Sequence, residues 1–562
     1  MKKKFLSISF DPFFLWGVIP LALFILMIVF SHHFDWDHFF SAFEVDIRSW
    51  IIDKRPPIWS YQFCGGVSRW GDPQAFGLSP LFIFSIIFGS TYGPKLIIII
   101  SVILGLISTY LCLDLVEHWN EKIYKTLIPY KKLNFKLKSF WFFSLFFVVS
   151  QFFIWHFYVG HMTFSMFYWA VAIFYFTLKG LKFGLNKLEF IFATSLTAIF
   201  FSSGFYHATV YFLLPLLVSC IFILPKTKKK YFIQAFSFWA IGLILSSYKW
   251  LQVLKYHQNF PRVLEDIRET NDFWSTVAFH LSPTLNFDFL WPFEIKRFWF
   301  IWENTFFCVN TIIFIIVLLY ILLKKKSAAI KHPVWKLIIF YIIISLLFSF
   351  GHFASWAPFP WINDTFFKSS IRTLSRFNIL IPWACTLALP IFFKAIKSEK
   401  IKKSLLFIGY IVMIFSLSSQ LKLLSYKEFS KYHYNNFIPI KKMRTVSIVK
   451  EWAHEQSYMY NPILAGLIVT NCYNPLSSKQ VFKEYMKTLK DPRALKQKIF
   501  PLFDFPYSEA NARCVRNSYV TQSNLVISDS CPEKICVNLN AMNIYKETQF
   551  RYNSTFKKLC NF

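Results

Sequence analysis

Residues 13–30 read FFLWGVIPLALFILMIVF, and residues 35–80 read DWDHFFSAFEVDIRSWIIDKRPPIWSYQFCGGVSRWGDPQAFGLSP. The first stretch is an uncharged apolar run long enough to cross a bilayer. The second holds Asp35, Asp37, Glu44, Asp46, Asp53 and Asp72, six of only 30 acidic residues in a chain of 562. A membrane wall followed at once by concentrated carboxylates reads as a span with chemistry at its outer end. No small-residue cleavage site follows the run, so an anchor is expected and not a removed signal peptide.

The rest of the composition agrees. The chain is 55% hydrophobic, with 71 Phe. Repeated apolar runs near span length point to an all-α polytopic membrane protein. The net charge of +31 does not imply nucleic acid. The lysines lie between apolar runs, as cytoplasmic loops meeting anionic lipid headgroups do, so membrane lipids are the expected partner.

Helices are expected near 12–31, 93–113, 141–158, 161–178, 188–206, 208–225, 232–251, 303–323, 335–350, 377–394 and 404–421. With Lys2, Lys3 and Lys4 inside, the clusters at Lys122–Lys138, Lys179–Lys187, Lys226–Lys230, Lys324–Lys326 and Lys394–Lys403 all fall on the same side, as the positive-inside rule requires. About eleven spans then place the N-terminus inside and the C-terminus outside. The short run Leu78 to Phe88 reads as a re-entrant or interfacial helix. The module at 1–421 sends loops 32–92, 252–302 and 351–376 to the outer face. Long loops on one face, and few charges within the spans, favour an enzyme over a channel.

Residues 422–562 read as a small extracytoplasmic domain, α+β or β-rich. Strands are expected at Ile463–Cys472, Tyr519–Ser528 and Ile535–Tyr545, and turns at Ser508–Asn517 and Gln549–Asn553. Five of the ten cysteines lie there: Cys472, Cys514, Cys531, Cys536 and Cys560. An oxidising compartment would permit disulfides. Free thiols are the alternative, and the spacings match no compact zinc pattern.

Asp35 and Asp37 are the leading catalytic candidates. A carboxylate at the rim of a cavity can take a proton from a sugar hydroxyl, or the pair can hold a divalent cation, Mg²⁺ or Mn²⁺. The plain alternatives are solvated charge, or Asp35 as an N-cap for an interfacial helix over 37–52. His32, His33 and His38 flank the pair without diagnostic ligand spacing. Glu44, Asp46 and Asp72 are candidates for a second acid. Arg372 and Arg376 lie four apart at the expected outer surface, where a guanidinium fork suits a phosphate. Lys255, Arg262, Arg268, Lys296 and Arg297 share that side, and pairing with Glu265, Asp266, Glu269 and Asp272 is the alternative for all of these cations. His156, His161 and His207, with Tyr158 and Tyr206, sit at expected outer helix ends, where they would bind sugar hydroxyls or a metal, or serve as interfacial anchors.

Taken in order, DWD, the amphipathic stretch, P-x-W-x-x-x-x-CGG, DPQ and LSP resemble large bacterial membrane glycosyltransferases of the GT-C superfamily. Gly160-His161, Glu303, the Arg372–Arg376 segment and Asn471-Cys472-Tyr473 extend the resemblance along residues 35 to about 475 as scattered short motifs. It implies a GT-C-like fold in an inner (cytoplasmic) membrane. It also implies a polyprenyl-phosphate sugar as donor and a catalytic acid in the first outer loop, which maps to Asp35 or Asp37. The acceptor would be a glycan, a lipid-linked saccharide or a protein, with Glu303, His161 and His207 as contacts. A transporter or flippase of a lipid-linked glycan would instead show discontinuous or charged spans and an internal repeat. A non-catalytic envelope assembly protein would tolerate loss of both aspartates.

Overall fold

The computed structural model describes residues 12–31, 34–60, 67–119, 135–222, 224–259, 273–282, 305–324, 332, 335–350, 358–366 and 373–424, and the strand residues 445–449, 468–469, 513–515, 518–520 and 524–528. Up to residue 424 these are almost entirely helical, and the chain is an all-α multi-pass membrane protein. Among the described residues, five stretches are long and apolar enough to cross a membrane: Pro80–Glu117, Ser139–Val159, Met162–Phe183, Leu374–Ala395 and Glu399–Ser419. Two bent pairs bring the number to seven if each is one span. Gly17–Phe30, Val309–Leu323 and Trp335–Ser349 are shorter apolar helices.

Helix α1 (Pro12–Phe30) leads into α2 (Phe34–Ile51). After a two-residue antiparallel pair, β1 (Trp59–Ser60) with β2 (Val67–Ser68), comes α3 (Ile83–Glu117). The run expected at Leu78–Phe88 forms a 3₁₀ turn at Pro80–Phe82 and the first turns of α3. Gly89, at φ 79°, sets these turns at a kink to the long helix, a backbone that side-chain-bearing residues rarely adopt. The segment expected at 141–158 is two helices, α4 (Phe135–Val148) and α5 (Gln151–Val159), and α6 spans Met166–Phe183.

Two expected spans depart from straight helices. Helix α7 (Lys187–Ser202) ends at Ser203-Gly204, and the chain resumes as α8 (Tyr206–Ala208), a π turn (Thr209–Leu213) and α9 (Leu214–Ser219), bent by 117° from α7. The glycine at the break permits a close approach, because a Cβ there would lie 2.6 Å from the Phe76 ring. Helix α10 (Lys229–Leu245) bends by 71° into α11 (Ser247–Asn259) at Ser246, whose Oγ bonds back to the Gly242 carbonyl at 2.8 Å. Hydroxyls that bond back to the preceding turn commonly bend helices. Then follow α12 (Phe273–Leu281), α13 (Val309–Leu323), α14 (Trp335–Ser349), α15 (Pro358–Phe366), α16 (Leu380–Ala395) and α17 (Glu399–Leu424).

The core gathers around α6, whose whole span is enclosed by protein, whereas α17 is mostly open to the surroundings. Helix α3 packs on α6, α4, α2 and α16. Gly105 of α3 lies so close to Tyr168 of α6 that a Cβ would clash at 2.4 Å, the small-residue contact membrane helices favour. Some polar groups inside the bundle are satisfied between helices. Asn310 Nδ2 donates to the Phe143 carbonyl at 2.7 Å and to Thr386 Oγ1 at 2.8 Å, which ties α13, α4 and α16. On the lysine-rich side, Lys394 pairs with Glu117 at 2.8 Å, and Lys179 pairs with Glu189.

Beyond residue 424 the described residues form one five-stranded sheet. Its strands are β3 (Thr445–Val449), β4 (Ile468–Val469), β5 (Arg513–Val515), β6 (Ser518–Val520) and β7 (Asn524–Ser528), in the order β4-β3-β7-β6-β5. Strand β3 runs parallel to β4 and β7, and β5, β6 and β7 are successively antiparallel. Two expectations are corrected. Tyr519–Ser528 is two strands, not one, and the turn expected at Ser508–Asn517 contains β5, because pairing with β6 orders Arg513–Val515 as an edge strand. The strand expected at Ile535–Tyr545, the turn at Gln549–Asn553, the cysteine pairings of the tail and Asn471-Cys472-Tyr473 lie outside the described residues.

Candidate active site

Helix α2 owes its seat to its apolar face. Trp36, Phe40 and Phe43 are fully buried and Phe39 nearly so, an i, i+3, i+4, i+7 stripe. The helix begins at Phe34, so Asp35 stands inside its first turn and is not an N-cap. Both aspartates therefore occupy the end where the helix dipole favours negative charge. Helical geometry separates positions 35 and 37 by about 200°. Position 35 falls on the stripe of Phe39, Ala42 and Asp46, all buried, and position 37 on that of Glu44 and Arg48, both partly exposed. The side chains of Asp35, Asp37 and His38 lie outside the described residues, as do His32 and His33.

The remainder of the loop is strapped down by buried charge. Arg69 Nε and one terminal nitrogen donate to the two carboxylate oxygens of Asp46, at 2.9 and 2.8 Å, and the other terminal nitrogen donates to Asp72 Oδ2 at 2.9 Å. Lys249 of α11, fully buried, donates to the backbone carbonyls of Arg69 (3.1 Å) and Asp72 (2.7 Å). Burial pushes the Asp46 carboxyl up from the ordinary carboxylate value, against the pull of Arg69 and then Lys249. Gly77 abuts this pair, and its carbonyl accepts from Trp50 Nε1 at 2.8 Å. Glu44 accepts from Arg48 and from Ser90 Oγ, each at 2.9 Å. The three candidates for a second acid are thus each engaged by cations or hydroxyls of the protein itself.

A second constellation gathers at the C-terminal end of α5. Gly160, at φ 105°, closes that helix, and a 3₁₀ turn at Met162–Ser165 follows His161. Phe164 in this turn is ringed by imidazoles: His156 at 3.8 Å, His207 at 5.3 Å and His161 at 5.5 Å between ring centroids, all stacked. The Arg376 guanidinium lies 5.0 Å from the Phe164 ring and 5.7 Å from Tyr211, at the range of a cation–π contact. Arg376 comes from the buried 3₁₀ turn Leu374–Ile379 that leads into α16. Thr163 Oγ1 meets His207 Nδ1 at 3.3 Å. The first loop reaches this cluster twice. Trp36 Nε1 donates to the carbonyl of Phe157, the residue after His156, at 3.1 Å. Ser79 Oγ meets Ser203 Oγ at 2.7 Å, beside the Gly204 break that precedes His207.

His161, His207 and Arg376 are therefore brought together, while Arg372 and Glu303 lie outside the described residues. Sequence reasoning passed over Arg69, Lys95 and Lys249. A lysine at the margin of an apolar run is a weaker signal, that of a charge which needs a protein partner if it is buried. Lys95 and Lys249 carry it.

Among the described residues no group of three or more His, Cys, Asp or Glu could hold a metal ion. Asp46 does not fit a divalent cation, since Arg69 takes both of its oxygens and Lys249 adds further positive charge.

No family model matches the chain, and no curated protein matches it. Among solved structures it is similar to the arabinofuranosyltransferase AftD from Mycobacteria, at 9% identity and a TM-score of 0.42, over 77% of this chain. This chain spans only 29% of that protein's length. It is also similar to ArnT from Cupriavidus metallidurans, solved with undecaprenyl phosphate bound, at 9% identity and a TM-score of 0.44, over 86% of this chain and 88% of that one. Both likenesses are distant in sequence and partial in shape.

Proposed function

We propose that the protein is a membrane glycosyltransferase of the GT-C type that moves a sugar from a polyprenyl-phosphate donor to an acceptor on the outer face of a bacterial inner membrane. The observation that carries this reading is the meeting of two constellations at the last turn of α5. Trp36, the residue between Asp35 and Asp37, bonds to Phe157 there, and His156, His161, His207 and Arg376 gather around Phe164 beside it. An acid pair next to a buried cationic, aromatic-lined site suits a reaction that needs a base on one substrate and an anion-binding group on the other. The motif order of the first loop supports the same reading.

In this mechanism a carboxylate at position 35 or 37 takes the proton of the acceptor hydroxyl as its oxygen attacks the anomeric carbon. The bond from that carbon to the phosphate oxygen breaks, and polyprenyl phosphate leaves with the electron pair. Arg376 receives the growing phosphate charge, with Arg372 as its expected companion, and the imidazoles contact phosphate or sugar oxygens. Direct displacement inverts the anomeric centre. Position 35 is preferred for the base because it lies on the buried stripe of α2. With Asp46 and Asp72 held by Arg69, no second acid is required of them. The tail at 422–562 would cap the site and help hold the acceptor.

The two bent helix pairs give the transporter reading its support. The break at Ser203–Phe205, however, lies against Ser79 of the first loop and thus belongs to the same constellation. The test is transfer by purified protein in lipid from a panel of labelled undecaprenyl-phosphate sugars. Asp35→Asn should lower the rate by roughly 10²–10⁴-fold, the usual worth of a general base. Full transfer by both Asp35→Asn and Asp37→Asn would remove the assignment.

A further inference from the structure

Helices α1 and α2 are joined only by Ser31, His32 and His33, and the junction is held from below by α3. Lys95 Nζ donates to the Val29 carbonyl at 2.7 Å and to the Ser31 carbonyl at 2.8 Å. These are orphan acceptors at the C-terminal end of α1, where the dipole favours a cation. The same ammonium lies 5.3 Å from the Trp36 ring and 5.8 Å from Phe40, within cation–π range. The two rings stack at 5.3 Å. Trp36 in turn gives its indole N–H to Phe157. One buried lysine thereby fastens the end of α1 to the first turn of α2, and one buried tryptophan fastens that turn to the end of α5.

We propose that Lys95 and Trp36 are a positioning clamp. They set the backbone of Asp35 and Asp37 against the His156–Arg376 cluster, and through that backbone they set the rate of the chemical step. The kinetic half of this proposal rests on the glycosyltransferase reading, and the geometric half does not. A buried lysine is expensive to keep unless it is paired, and two carbonyls and two ring faces are a specific use for it. A structural cap alone would not need its charge over the residue that separates the two acids. Since a misplacement of about 1 Å can cost a hundredfold in rate, loosening this turn should act on kcat and leave ground-state binding alone.

The experiment uses the full chain in lipid nanodiscs with Lys95→Met, Lys95→Arg and Trp36→Phe. Amide exchange over residues 34–38 should quicken at least tenfold in Lys95→Met and Trp36→Phe, with the amides of α5 and α16 unchanged and Lys95→Arg close to wild type. The affinity for undecaprenyl phosphate should stay within twofold. With a labelled undecaprenyl-phosphate sugar as donor, kcat should fall at least tenfold with KM within twofold, and Lys95→Arg should recover most of it. Unchanged exchange at 34–38 overturns the clamp. So does a loss of kcat that only follows a loss of folded protein, or an unchanged kcat where Asp35→Asn is inactive. If Lys95→Met does not fold, Trp36→Phe decides, since it keeps a ring and removes only the donor. Full activity in both aspartate variants defeats the glycosyltransferase reading and the kinetic half, and the exchange result still decides the geometric half.

Discussion

Arg376 is a guanidinium laid on two aromatic faces in a site with three imidazoles, and it lies at the buried start of a helix, not at its solvated tip. Arginine is suited to such a place because it keeps its charge and presents a planar fork to phosphate. Arg376→Ala should weaken binding of undecaprenyl phosphate by roughly 10–100-fold, the worth of a hydrogen bond to a charged group. Arg376→Lys should restore only part, because a point charge cannot replace the fork. Equilibrium binding in nanodiscs measures both, and unchanged affinity would place the phosphate elsewhere. A second residue reports on pH. His280 is buried against Phe306, and burial pushes its imidazole down to about 3 from the ordinary 6.5. The unfolded chain therefore binds the proton first, and stability present above pH 6.5 drains away as the pH falls towards 3. From pH 7.5 to pH 5 the loss should be about 2 kcal/mol. His280→Phe should show a smaller fall in melting temperature over that range, and an equal fall would refute the assignment.

Among the elements, the first loop is held by charge more than by secondary structure. Asp46 and Arg69 are both buried, so removing one strips the other of a two-point charged contact, although Arg69 keeps Asp72. Asp46→Ala should cost about 3–5 kcal/mol, read as a drop in melting temperature. Asp46→Leu combined with Arg69→Met should be milder than Arg69→Met alone, since it removes the buried carboxylate along with its cation and leaves only the partly exposed Asp72 without its arginine. Gly77→Ala should also destabilise, by about 1–3 kcal/mol, because its Cβ would fall 2.6 Å from Asp46 Oδ2. At this scale the sequence was legible where a pattern repeats. The stripe Trp36, Phe39, Phe40, Phe43 announces an amphipathic helix, and the DPQ and LSP turns announce a compact loop. The roles of Asp46 and Asp72 were not legible. A carboxylate saturated by an arginine 23 positions away looks the same in sequence as a catalytic one, and only burial and the fork distinguish them.

Across the whole molecule, apolar periodicity located the long helices, because a lipid-facing helix needs little besides length and hydropathy, but it passed over the short α12 and α15 within stretches read as loops. The breaks were harder to read. Ser203-Gly204 and Ser246 interrupt apolar runs without proline; the first bend depends on a close approach to Phe76 far away in the chain, and the second on a serine that bonds back to its own preceding turn. The lysine pattern yields an orientation that is directly testable. Single cysteines at Lys228 and Lys400 should react with an impermeant maleimide only from the cytoplasmic side of sealed vesicles. One at Ile58, in the first loop, should react only from the other side. Reversal at any of these positions would overturn the topology. The histidine–arginine cluster itself draws on α5, the turn before α6, the turn before α16 and the break after α7, so no single motif could have revealed it.

The tie between Lys249 and the carbonyls of Arg69 and Asp72 joins residues 180 and 177 positions apart. At a synthesis rate of 5–20 residues per second, the early loop waits roughly 10–35 s before its lysine is made. Throughout that interval the Arg69 fork and its two carboxylates must be kept in order, or in water, without the helix that later closes over them. The loop is thus completed late in biogenesis, and a chain arrested before α11 is made would carry the first-loop carboxylates in a segment that is not yet locked.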